Sequence, residues 1–143
     1  PDVDDAFDID EAGPGSILGR VDNLTIINNF DEGLDFDEED EDGVYFDVFN
    51  VYSAGNEDEG VKVSEEGDGD NAVRLYKVIT DGDLEFEEED GGIVDIKLGN
   101  SFVGDDLQIE ADDGDPTTID GFYKARGTTV VDELDFEGDI EIL

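Results

Sequence analysis

Gly-Val-Tyr-Phe-Asp-Val-Phe-Asn-Val-Tyr-Ser, residues 43–53, is the longest run of β-branched and aromatic residues in the chain. Such side chains favour the pleated, half-buried surface of a sheet. Tyr45, Phe49 and Val51 share one parity, and Val44, Phe46 and Val48 the other. Apolar side chains on both parities predict a strand held between two layers. Asp40-Glu41-Asp42-Gly43 before it and Ser53-Ala54-Gly55-Asn56 after it supply turn chemistry.

Shorter alternating segments flank this strand on both sides. Phe30–Phe36, Gly60–Ser64, Ala72–Thr80, Ile93–Leu98, Leu107 to Ile109 and Ile140 to Leu143 all read as strands. Ser16–Arg20 and Val21–Asn28 read as one bent strand or two short ones, and Asp81-Gly82 as a primed hairpin turn. No helical period and no internal repeat of fixed length stands out. The pattern predicts an all-β fold, an antiparallel two-sheet sandwich or jelly roll with an extended N-terminal strand. Residues 1–15 would form a donor strand and its Gly13-Pro14-Gly15 joint, and residues 16–143 the sandwich domain.

Composition narrows the chemistry. The 143 residues include 45 acidic and 7 basic ones, a formal net charge of -38, yet 36% are hydrophobic. Repulsion on this scale must be screened before the chain can compact. The screening length falls from about 10 Å at 0.1 M salt to about 3 Å at 1 M, so the profile predicts life in concentrated brine. No basic patch is available to meet phosphates, which argues against nucleic acid as a partner. No apolar run approaches the ~20 residues of a membrane span. The opening Pro1-Asp2-Val3 reads as a processed, mature N-terminus of an exported protein.

Cysteine and histidine are both absent, which removes disulfides, thiolate sites and the commonest general base. No serine sits in a recognisable nucleophile elbow, so the chain is not expected to be an enzyme. Asp112, Asp113 and Asp115 are candidate oxygen ligands for Ca2+, with bound Na+ or K+ as further possibilities, but no cluster has EF-hand spacing. The acidic runs at 35–42, 65–70 and 85–90 read as solvated loops between strands. Asn23-Leu24-Thr25 is a glycosylation triplet placed in a strand. Val3, Phe7 and Ile9 alternate along the N-terminal segment and could fill apolar slots of a neighbouring subunit through strand donation; pairing within their own domain is the other reading.

Gly43-Val44-Tyr45-Phe46-Asp47-Val48-Phe49-Asn50-Val51 resembles a strand of secreted haloarchaeal proteins related to the TasA/camelysin group. Leu98-Gly99-Asn100-Ser101-Phe102-Val103-Gly104, followed by Leu107-Gln108-Ile109-Glu110-Ala111-Asp112, resembles a second segment of that group, with Asn100 in place of its second glycine. The resemblance implies an exported jelly-roll subunit of an extracellular filament, such as an archaeal bundling pilus or biofilm fibre. It would be a homopolymer in which residues 2–10 complete the next subunit's sheet. A capsid, spike or surface-layer protein of a halophilic virus or cell is the alternative. An extracellular carbohydrate-binding or glycoside-cleaving sandwich is the third reading.

Overall fold

In a computed structural model, residues 5–40, 42–88, 92–111, 117–119, 130–138 and 140–142 are described. Thirteen strands and no helix occur among them: β1 Phe7–Glu11, β2 Ile17–Asp22, β3 Thr25–Ile27, β4 Leu34–Glu38, β5 Val44–Ala54, β6 Val61–Glu65, β7 Asn71–Thr80, β8 Leu84–Glu88, β9 Val94–Gly99, β10 Phe102–Ala111, β11 Thr117–Ile119, β12 Val130–Gly138 and β13 Ile140–Ile142.

Every strand pair among them is parallel. Phe7 pairs with Leu34, Leu34 with Val61, Val61 with Leu84, Leu84 with Leu107 and Leu107 with Leu134, so successive coils are 27, 27, 23, 23 and 27 residues long. Each coil lies on the one before it in register. That is a parallel β-solenoid, and it replaces the expected antiparallel sandwich or jelly roll. β1 is the first rung of the same wall as β4, β6, β8 and β10.

The repeat is written in the sequence. Phe7-Asp8-Ile9-Asp10-Glu11 recurs as Leu34-Asp35-Phe36-Asp37-Glu38, Val61-Lys62-Val63-Ser64-Glu65 and Leu84-Glu85-Phe86-Glu87-Glu88. Period-two alternation sends the first and third residues inward and the second and fourth outward. Leu34, Phe36, Val61, Val63, Leu84 and Phe86 are all fully buried. A fixed period is hidden because the link between Ala54 and Val61 shrinks to Asp81–Asp83 one coil later and β7 has 10 residues to the 11 of β5, while β6 keeps the 5 residues of β4.

A second corner corrects the reading of the central strand. Val44, Phe46 and Val48 of β5 face the interior, and after Asn50 the inward residues become Val51 and Ser53. Asn50 has φ 53°, a left-handed conformation that bends the strand and switches parity. The same corner recurs at Asn23, Lys77 and Asn100, with φ 61°, 57° and 49°. Apolar residues on both parities thus mark one strand turning a corner inside a coil, not a strand between two sheets. Tyr45, on the outer face, is 40% exposed.

The second wall is formed by β2, β5, β7 and β9, and the third by β3, the ends of β5 and β7 and the start of β10. Their inward residues close one continuous core, in which the Phe36 and Phe46 rings lie 4.3 Å apart. Gly19 faces this pair. A Cβ there would lie 2.5 Å from Phe46 Cε2, so glycine leaves room for the ring. Asp81-Gly82 joins two coils instead of closing a hairpin: β7 pairs with β5, β9 and β10, and β8 with β6 and β10.

Candidate functional site

Three features of the coil stack carry chemistry: its N-terminal rung, its pair of outer walls and a buried file of carboxyls.

At the N-terminal edge, β1 pairs in parallel with β4 of its own chain, Phe7 to Leu34 and Ile9 to Phe36. β4 is its sole strand partner among the described residues, and no described strand covers the other side of β1. Phe7 and Ile9 are half-buried against the core, whereas their equivalents one coil further in are fully buried. Val3, Asp112, Asp113 and Asp115 lie outside the described residues. Asn23 occupies an exposed left-handed corner between β2 and β3, not a strand.

The two outer walls differ in charge. Asp8, Asp10, Asp35, Asp37, Glu85, Glu87 and Glu110 line the wall of β1, β4, β8 and β10, with Lys62 of β6 as its cation among the described residues. The Lys62 ammonium lies 3.3 Å from Glu85 and 3.2 Å from Glu87. Partial burial works against its charge, and Glu87 and Glu85 more than offset this and hold its pKa up. Burial, then the Asp5 and Asp37 charges, raise Asp35 to about 6. The carboxyls of Asp5, Glu32 and Asp35 converge within 4.8 Å of one another, as do those of Asp83, Asp105 and Asp106.

On the wall of β2, β5, β7 and β9 the charges balance. Arg74 grips Asp47 with two bonds, Nε to Oδ1 at 2.6 Å and Nη2 to Oδ2 at 2.8 Å. Arg20 pairs with Asp22 at 2.8 Å and lies 4.3 Å over the Phe49 ring, while Lys97 pairs with Asp95. Tyr45, Phe49 and Tyr76 fill the spaces between, with the last two rings 6.3 Å apart.

The buried file was not legible as such from composition. Glu38, Glu65 and Glu88 sit in acidic runs read as solvated loops, yet all three are fully buried. Each ends its short strand at the same register position, with Glu11 one rung before them and Ala111 one rung after. Glu38 Oε2 accepts from the Asp40 N–H at 3.3 Å, Glu65 Oε1 from the Gly67 N–H at 3.0 Å and Glu88 Oε2 from Asn71 Nδ2 at 3.3 Å. Their other oxygens, and Oδ1 of buried Asn71, meet no donor among the described residues. Burial, then the Glu65 carboxyl, raise Glu88 to about 10; burial and the same neighbour raise Glu38 to about 7. The signal that could have found the file was a glutamate recurring as the fifth residue of each short strand.

The class this architecture defines is a parallel β-solenoid. No protein-family model matches the chain, and no curated protein or solved structure matches it closely enough to count as a relative. Among the described residues no helix is long and apolar enough to cross a membrane.

Proposed function

We propose that this chain is a structural element of an extracellular filament working in concentrated salt, and that copies add end to end through the open edge of β1. The carrying observation is the contrast between half-buried Phe7 and Ile9 and the fully buried Leu34 and Phe36 one coil further in. A coil from another copy would bury the first pair and continue the parallel pairing of the wall. End-on addition asks less than donation of residues 2–10, because β1 keeps its five-residue register with β4. Export to the cell surface and homopolymerisation belong to the same proposal.

The test is electron microscopy of the purified chain at ~3 M salt, where screening is strong. Threads are expected from the native sequence and dispersed particles from Phe7→Lys/Ile9→Lys, which places charges on the edge. Dispersed particles from the native chain at every concentration would refute the proposal.

A second reading, lateral packing in a surface layer or capsid, is favoured by the balanced aromatic wall around Tyr45, Phe49 and Tyr76. Flat arrays that persist in the edge variant would select it.

A further inference from the structure

We infer that the buried file Glu38–Glu65–Glu88, with Glu11 at its outer end, is a Ca2+ site: two partly dehydrated calcium ions held between successive rungs of the solenoid. The inference is independent of whether copies polymerise.

The first ground is spacing. In-register parallel strands repeat at about 4.8 Å, so an ion midway between two stacked carboxyls lies about 2.4 Å from each. Calcium–oxygen distances run from about 2.3 to 2.6 Å. Glu38 pairs with Glu65 and Glu65 with Glu88 in this register, and Glu65 interacts with both neighbours.

The second ground is the neutral oxygens gathered at the same corner. Asn71 is fully buried, donates its amide to Glu88 and the Glu87 carbonyl, and leaves Oδ1 without a donor. Gly69 and Gly92 let backbone carbonyls come close to the file. A Cβ on Gly69 would lie 2.2 Å from the Asp42 carbonyl oxygen and 2.6 Å from Glu65 Oε1; on Gly92, 1.7 Å from the Gly69 carbonyl oxygen and 2.7 Å from Glu88 Oε1. Carboxylates, carbonyls and an amide oxygen are the hard ligands calcium takes.

The third ground is charge. No salt bridge among the described residues reaches the file, and Lys62 is engaged by Glu85 and Glu87 on the outer face. Fully buried carboxylates without a counter-charge are strongly disfavoured. Two Ca2+ would neutralise four glutamates.

The test is equilibrium dialysis of the full chain with radioactive Ca2+, after chelation, in ~2 M KCl to suppress loose surface binding. Two tightly held ions per chain are expected, together with a rise of several degrees in Tm. Glu65→Gln, which removes the carboxylate shared by both positions, should lose at least one ion. Glu38→Gln/Glu65→Gln/Glu88→Gln should lose both and show no calcium-dependent Tm shift. Asp35→Asn/Asp37→Asn on the outer wall should keep both ions. If the glutamine variants fail to fold, infrared spectra of the native chain decide. Calcium-sensitive carboxylate bands support the site, and protonated carboxyl bands persisting at neutral pH with calcium present overturn it. Failure of the native chain to retain ions, or an undiminished calcium response in the triple variant, also overturns it.

Discussion

Lys77 holds a backbone conformation that asparagine holds in the other three coils, at Asn23, Asn50 and Asn100. A left-handed φ costs most L-residues roughly 1–2 kcal/mol, and asparagine less, because its short amide bonds locally. The Lys77 ammonium lies 5.7 Å from the centre of the Tyr76 ring, a weak compensation at an exposed site. Lys77→Asn is therefore expected to stabilise the fold by roughly 0.5–1 kcal/mol, read as a rise in the denaturation midpoint with unchanged slope. A fall would show that the lysine stem matters more than the corner. The same four positions explain why the central strand misleads at this scale: side-chain alternation is visible in a sequence, but a single φ near +55° that reverses it is not.

At the scale of the element, a coil is the unit that can be added or removed. The sequence shows most strands within a residue or two: 43–53 corresponds to Val44–Ala54, 72–80 to Asn71–Thr80 and 93–98 to Val94–Gly99. Their pairing was not visible. Asp81-Gly82 has hairpin chemistry, yet the residues on either side of it continue into different walls, because each strand's apolar face is covered by the opposite wall of its own coil. Nor was the buried glutamate file visible, since glutamates inside and outside the coil look alike in an acidic chain. The solenoid predicts that deletion of residues 61–83, one whole 23-residue coil, rejoins Gly60 to Leu84 in register. Such a variant should retain a β spectrum and cooperative unfolding at a lower Tm, because neighbouring coils contribute nearest-neighbour terms. Deletion of residues 61–72 breaks the register and should not fold. Equal behaviour of the two variants would contradict the coil repeat.

For the molecule as a whole, charge sets the conditions of folding. Stacked carboxyls such as Asp8 over Asp35 and Asp10 over Asp37 repel when they lie opposite each other in register. In calcium-free buffer the β spectrum is expected to weaken as salt is diluted below ~0.1 M, followed by circular dichroism. An unchanged spectrum would count against the brine-dependent reading. pH acts in the same sense. Burial and Asp5 raise Glu32 to about 8, burial and the Glu85 charge raise Glu59 to about 7, and Asp35 rises to about 6. Because these folded-state values exceed the unfolded ones, protonation favours the fold, and that contribution fades as pH climbs from about 4.5 through 8. Dilute-salt stability should thus be greater at pH 5.5 than at pH 8.5, and the opposite order would refute the assignment.

The unequal walls also give the solenoid a transverse electric dipole. One long side is a strip of carboxylates and the other is nearly neutral and aromatic. Beside an anionic surface at ~0.1 M salt, where the field reaches about 10 Å, such a rod would turn its tyrosines toward the surface and its acids toward the solvent. In concentrated salt that preference shrinks to about 3 Å and acts only at contact.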